Sequence, residues 1–267
     1  MSKKILFFDV DGTLVDSYHG IQEIPEGVKK ELKRIQNLGH KIFVCSGRPK
    51  AMMDDRFIDF DGYILANGGY VEIDGQSIFE NRMDPKLCKE VVDVLKSINS
   101  AYMLETADKI YCDYASQELY DFFNRGALRL DFIREFDEDE VLQRTIKIEM
   151  NVTNKNRDLV INTIDQYFGF VLNYDQHGSE NAFEIYSPTL SKAIGMQHVL
   201  DYYGVTKEDS YGFGDGTNDI EMIKFAGVGV AMGNAVDSLK EVADIVCDSI
   251  QENGLEKILK QLFRDVV

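Results

Sequence analysis

Lys4-Ile5-Leu6-Phe7-Phe8-Asp9-Val10-Asp11-Gly12-Thr13 is the stretch on which the fold turns. A short apolar run that ends on acidic residues and a glycine predicts a buried strand delivering carboxylates at its C-terminal end. The motif then repeats outward. Val28, Leu32, Ile35 and Leu38 fall at helical spacing, and Gly39 supplies a stop. A second buried strand, 41–45, runs into Ser46-Gly47-Arg48-Pro49, and a third, 63–66, runs into Asn67-Gly68-Gly69. Strands alternating with helices predict a parallel sheet with helices on both faces. In such sheets ligands bind beyond the carboxyl ends of the strands, where Asp9, Ser46 and Asn67 all fall.

The character changes between about Asn81 and Tyr186. A helix over 84–99 carries Leu87, Val91, Leu95 and Ile98 on one stripe, and strands are expected at 101–106 and 109–113. A helix over 115–126 and an acidic turn, 137–140, come next. Ile146, Ile148, Met150 and Val152 then alternate with polar residues, the period-2 pattern of a sheet with one open face. A helix over 155–168 precedes strands at 170–174 and 182–186, so helix–strand–strand occurs twice. From Ser191 the alternating pattern resumes: helix 191–203, strand 210–214 ending in Asp215-Gly216-Thr217-Asn218-Asp219, strand 228–232, helix 235–243, strand 244–247 and helix 255–263. The expected class is α/β: a doubly wound, mostly parallel, Rossmann-like core sheet built from 1–81 and 188–267, interrupted by an inserted α+β cap domain at 82–187.

The composition narrows the partners. The 267 residues are 44% hydrophobic and 28% charged, ordinary for a globular chain, but the formal charge is -17. A surface that acidic repels nucleic-acid phosphates and anionic membranes, so neither is expected as a partner. Any anionic substrate must meet local cations. Cysteines stand far apart, at 45, 88, 112 and 247, without a C-x-x-C pair, so reduced thiols are expected rather than a zinc cluster. Met-Ser-Lys-Lys runs into the first strand without a cleavage pattern, and no apolar run approaches the roughly 20 residues that span a bilayer. A cytoplasmic protein is the expectation. Nothing in the sequence bears on oligomeric state.

Several positions could carry chemistry. Asp9 and Asp11 place two carboxylates past one buried strand. Phosphoryl transfer to a carboxylate needs that pair, one ionised nucleophile and one group that shuttles a proton. A magnesium ion beside Asp9 would hold it ionised, and a drier setting would raise the pKa of Asp11. The plain alternatives are a turn or a calcium loop. The latter fails because Gly20 stands where a bidentate glutamate is required. Asp215, Asn218 and Asp219 offer further oxygen ligands suited to magnesium, or else only complement a helix dipole. Ser46 and Gly47 could hold phosphate oxygens ahead of a helix near Pro49, and Lys192 could supply a fixed positive charge. Taken singly, serines cap helices and most lysines are solvated. Gly212-Phe213-Gly214 is not a dinucleotide motif, since Thr217 occupies the third glycine position.

The set as a whole resembles the haloacid dehalogenase superfamily, specifically the Cof-type phosphatases with a large second-type (IIB) cap. Phe8 to Leu14 resembles the nucleophile loop, Ser46-Gly47-Arg48 the second motif, Ser191-Lys192 the third, and Gly214 to Asp219 the metal loop. Val230-Ala231-Met232-Gly233-Asn234-Ala235 is similar to the segment that follows in Cof-type members. The likeness covers nearly the whole chain. It departs at Thr189-Leu190, where a small residue is common, which bears on local cap contacts only.

The resemblance implies a magnesium-dependent phosphoric monoester hydrolase acting on a small phosphorylated metabolite, such as a sugar phosphate, nucleotide or cofactor phosphate. Asp9 would be nucleophile and metal ligand, and Asp11 general acid–base with its carbonyl on magnesium. Asp215 would complete the metal ligands. Val10, Ser46, Gly47, Lys192 and Asn218 would hold the phosphate. Asp219 would orient the metal loop or pair with Lys192, while Arg48 and Asn67 would touch substrate or brace their loops. A phosphomutase and a non-catalytic metabolite sensor are the alternatives; the presence of both Asp9 and Asp11 speaks against the sensor. Tyr102, Tyr111 and Tyr114 in the middle segment are read as half-buried strand residues in preference to a stacking surface.

Overall fold

Ile5, Leu6, Phe7 and Phe8 are all fully buried and form β1 (Ile5–Phe8) in the middle of an eight-stranded sheet. The computed structural model describes residues 3–125, 131–165, 171–174 and 182–264. β1 pairs in parallel with β2 (Lys41–Cys45) on one side and β12 (Ser210–Gly214) on the other. β3 (Gly62–Leu65) extends the parallel run beyond β2, and β13 (Val228–Ala231) and β14 (Ile245–Val246) extend it beyond β12.

Alternate side chains of each strand face opposite ways. Ile5, Phe7, Phe43 and Ile64 form one core with Met196 and Val199 of α6 (Lys192–Tyr203), Met222 of α7 (Ile220–Phe225) and Leu239 of α8 (Asp237–Lys240). α1 (Glu26–Asn37) and α9 (Gly254–Leu262) pack together, α1 also against β2. Val28, Leu32 and Ile35 are the buried stripe of α1, which stops at Gly39 with φ +89°.

The sheet gains an edge that the sequence reading omits. Residues 70–80 carry β4 (Tyr70–Ile73), antiparallel to β3, and then β5 (Gln76–Glu80). Asp74 and Gly75 join them with φ of 49° and 77°, the left-handed pair of a two-residue hairpin turn. The helix expected over 235–243 shrinks to α8; the Ala235 and Val236 N–H groups donate to the Met232 and Asp215 carbonyls of the preceding loops.

The chain divides into two compact units. One comprises Met1–Gly47, Asp54–Phe79 and Ser191–Val267; the other comprises Arg48–Met53 and Glu80–Leu190. Arg48–Met53 therefore falls outside the unit to which the sequence reading gave it. Met52 is buried among Ala101, Met103, Ile110, Cys112 and Leu119 of the second unit.

That unit is built on a six-stranded sheet in the order β10-β11-β9-β6-β7-β8: β10 (Val171–Tyr174), β11 (Ala182–Tyr186), β9 (Lys147–Asn151), β6 (Ala101–Glu105), β7 (Ile110–Tyr111) and β8 (Phe132–Ile133). One face packs Leu104, Ile148, Met150 and Phe183 against α2 (Pro85–Ser97), α4 (Glu138–Leu142) and α5 (Arg157–Asp165). α3 (Gln117–Arg125) packs on β6. The acidic turn at 137–140 is the start of α4, capped by the Asp137 carboxylate accepting from the Glu140 N–H. The ends of the expected helices at 126 and 166–168, and residue 170, lie outside the described residues.

The polar alternation on β9 does not mark an open face. Lys147, Glu149 and Glu105 are all buried, with the Lys147 ammonium 3.2 Å from Glu105, 3.4 Å from Glu149 and 2.8 Å from Glu184. Charge pairing allows polar residues to be enclosed where their period alone predicts solvent.

Candidate active site

The loops that follow β1 and β12 and the amino end of α6 bring Asp9, Asp215, Asp219 and Lys192 together. Asp9 follows β1 directly, its N–H held by the Phe213 carbonyl at 2.9 Å. The chain then turns on itself: the Gly12, Leu14 and Val15 N–H groups donate to Val15, Val10 and Val10 carbonyls. Gly12 has φ +84°, and a side chain there would run into the Asp215 carboxylate. Only glycine satisfies both demands.

Lys192 is the first residue of α6, whose N-cap Ser191 accepts from the Ile194 N–H. Its ammonium is fully enclosed, 2.6 Å from Asp9 Oδ1 and 2.5 Å from Asp219 Oδ1. Burial works against the charged form, but Asp219 and Asp9 more than offset it and hold the Lys192 pKa above its usual value. Asp219 Oδ2 accepts from the Asp215 and Gly216 N–H groups at 3.0 and 2.9 Å. Asp219 thus both orients the acidic loop and pairs with Lys192.

Asp215 is braced by two residues that the sequence reading left without a role. Thr13 Oγ1 donates to its Oδ1 at 3.2 Å, and Asn234 Nδ2 lies 3.3 Å from its Oδ2. The same Asn234 nitrogen donates to the Gly12 carbonyl at 2.9 Å, and Asn234 Oδ1 accepts from the Ile250 N–H. Both residues lie inside the quoted motif segments, which was the available signal. Asn218 Nδ2 donates to Asn67 Oδ1 at 3.2 Å, joining the ends of β3 and β12. The Ser46 N–H donates to the Ile64 carbonyl. The helix expected near Pro49 is a single 3₁₀ turn, Lys50–Met52, and Arg48 belongs to the second unit. Tyr102 and Tyr111 are buried, the former donating to Glu138 and the latter accepting from Arg144; Tyr114 is exposed.

The acids carry more negative charge than Lys192 neutralises. Burial, with the Asp219 charge added, pushes the Asp9 carboxyl up to about 7 despite Lys192; Asp11 contributes in the same direction. Burial and the Asp9 and Asp219 charges push Asp215 up to about 8. One carboxylate oxygen from each of Asp9, Asp215 and Asp219 falls within 4.8 Å of the others. Lys192 is shared between Asp9 and Asp219, Asp219 also takes two backbone N–H groups, and the hydrogen bonds to Asp215 come from the neutral Thr13 and Asn234, so Asp9 and Asp215 are the two best placed to take a cation. An all-oxygen set of this kind suits magnesium.

A parallel sheet gathering carboxylates and one enclosed lysine beyond the carboxyl ends of its strands is a site suited to phosphoryl transfer. The family model for haloacid dehalogenase-like hydrolases matches residues 6–259. The chain is 27% identical over 270 residues to the 5-amino-6-(5-phospho-D-ribitylamino)uracil phosphatase YitU of Bacillus subtilis, covering 97% of each. It is 28% identical to the putative phosphatase YkrA of the same organism, covering 98% of each. The phosphatase BT1666 from Bacteroides thetaiotaomicron superposes with a TM-score of 0.81 at 25% identity, covering 99% of this chain and 96% of that one. The chain belongs to the haloacid dehalogenase-like hydrolases and is a Cof-type phosphatase, a phosphoric monoester hydrolase.

Proposed function

We propose that the chain hydrolyses a small phosphorylated metabolite through an aspartyl-phosphate on Asp9, with magnesium as cofactor. One observation carries this reading: the enclosed Lys192 ammonium, 2.6 Å from Asp9 Oδ1, among buried carboxylates it does not fully neutralise. Asp9, Asp215 and the Asp11 carbonyl would hold the metal. When bound, a divalent cation supplies charge that keeps the carboxylates ionised and draws electron density from a phosphoryl group.

The residues of the chain then divide the work. An Asp9 oxygen bonds to phosphorus in line with the departing ester oxygen. The ester P–O bond breaks, and Asp11 gives its proton to the leaving oxygen. Lys192, the Ser46 hydroxyl, the Val10 and Gly47 N–H groups and the Asn218 amide balance charge on the equatorial oxygens, where most of it gathers. Ionised Asp11 next takes a proton from water as the water oxygen bonds to phosphorus. The P–O bond to Asp9 breaks, inorganic phosphate leaves, and both carboxyl groups regain their starting states. The name of the Bacillus relative, a phosphatase of a ribitylamino compound, supports a substrate that carries its phosphate on a small polyol.

Replacement of Asp9 by Asn preserves shape and removes the nucleophile. Purified free of wild type, that variant is expected to release phosphate at less than about a hundredth of the wild-type rate. A higher residual rate contradicts the covalent route.

A further inference from the structure

Ala66, Asn67 and Gly68 follow β3 with three consecutive positive φ angles, 48°, 52° and 94°. Left-handed backbone is costly for a residue with a Cβ, and Ala66 adopts it with neither the freedom of glycine nor the polar side chain of asparagine. Such strain persists only where surroundings over-determine it, and it collects at functional sites. Here the surroundings are the other loops of the site. The Asn67 N–H donates to the Ser46 carbonyl at 3.2 Å. Asn67 Oδ1 lies so close to Gly47 that a Cβ there would come within 3.0 Å of it. Gly68 packs against the Ser191 carbonyl with no room for a side chain, and Ser191 caps the helix that begins with Lys192. Asn218 Nδ2 donates to Asn67 Oδ1. One buried turn therefore touches the segments that carry Ser46, Lys192 and Asn218.

We propose that Asn67 is a positioning residue, which acts through Asn218 to aim a donor at the transferred phosphoryl group. The inference rests on the phosphatase reading above. Asn218 Nδ2 carries two N–H groups. Donating one to Asn67 fixes the plane of the amide and with it the direction of the other. A donor aimed in advance need not reorganise when charge develops. Asn67 itself does not touch the phosphoryl group in this scheme.

The test compares Asn67→Gly, Asn67→Ala, Asn218→Ala and the double variant Asn67→Gly/Asn218→Ala. The readouts are kcat and KM on an aryl phosphate, inhibition by inorganic phosphate, and melting temperature. Glycine keeps the left-handed turn and removes the amide; alanine removes the amide and adds strain. Both Asn67 variants should lose kcat/KM by the same factor, on the order of tenfold, and weaken phosphate inhibition, with only alanine melting clearly lower. The double variant should be no worse than Asn218→Ala alone, because both changes remove one linked effect. Wild-type kcat/KM and phosphate inhibition in Asn67→Gly would overturn the inference, as would additive losses in the double variant. Should Asn67→Ala fail to fold, the glycine variant alone decides between these results. A wild-type chain that neither releases phosphate nor is inhibited by it would overturn the phosphatase reading, and this inference with it.

Discussion

Lys192 is the residue whose removal leaves the most behind. Lys192→Met would strand Asp9 and Asp219 as enclosed carboxylates. Breaking a buried pair in this way costs about 3–5 kcal/mol. A lower melting temperature and a kcat reduced by on the order of a hundredfold or more are expected. Wild-type values for both would show that the ammonium neither holds the acids nor balances phosphoryl charge. At this scale the positions of Asp9, Ser46, Lys192 and Asp215 at element ends were legible, because a periodic pattern marks the end of each element. The braces were not. Thr13 meets Asp215, and Asn234 meets Gly12, across some two hundred positions of chain, and no local pattern encodes such a meeting.

Among elements, β9 shows where periodicity misleads. Alternation marks which residues share a face, but it does not report whether that face is wet. Lys147 with Glu105, Glu149 and Glu184 makes the polar side of the sheet buriable. The hairpin at 70–80 was legible from Asp74-Gly75 and went unread because its flanks do not alternate cleanly. The ion cluster has a pH signature. Burial pushes the Glu105 carboxyl up to about 7 in the folded chain even though Lys147 opposes it; the ordinary value is 4.5. The folded state then keeps a proton that the unfolded state has released, so this group's contribution to stability falls as pH rises from about 4.5 to 7 and levels off above. Glu105→Gln removes that proton uptake. Its melting temperature should fall less than that of the wild type between about pH 5 and 8. Equal slopes in calorimetry would mean that Glu105 is ionised throughout.

The whole chain is a core sheet made from its two ends and a second unit made chiefly from its middle. That order was legible because strand–helix alternation stops near residue 81 and restarts at Ser191 with the same register of chemistry. The membership of Arg48–Met53 was not, since Met52 reaches the second unit's core through a loop. None of the acids or the lysine proposed for the chemistry lies in Glu80–Leu190, and we propose that this unit selects the substrate. Tyr114, 64% exposed and stacked beneath the Arg134 guanidinium at 4.8 Å, is a place to test it without disturbing a core. Tyr114→Ala should reorder the ranking of phosphorylated metabolites and leave hydrolysis of an aryl phosphate nearly unchanged. Equal losses on both kinds of substrate would give the unit a part in the chemistry itself.

The most direct measurement of the central claim is a rapid acid quench during turnover, followed by peptide mass spectrometry. A mass increment of one phosphate on the peptide carrying Asp9, absent from Asp9→Asn, is the predicted result. Phosphate on a different residue, or undiminished turnover by Asp9→Asn, would contradict the account.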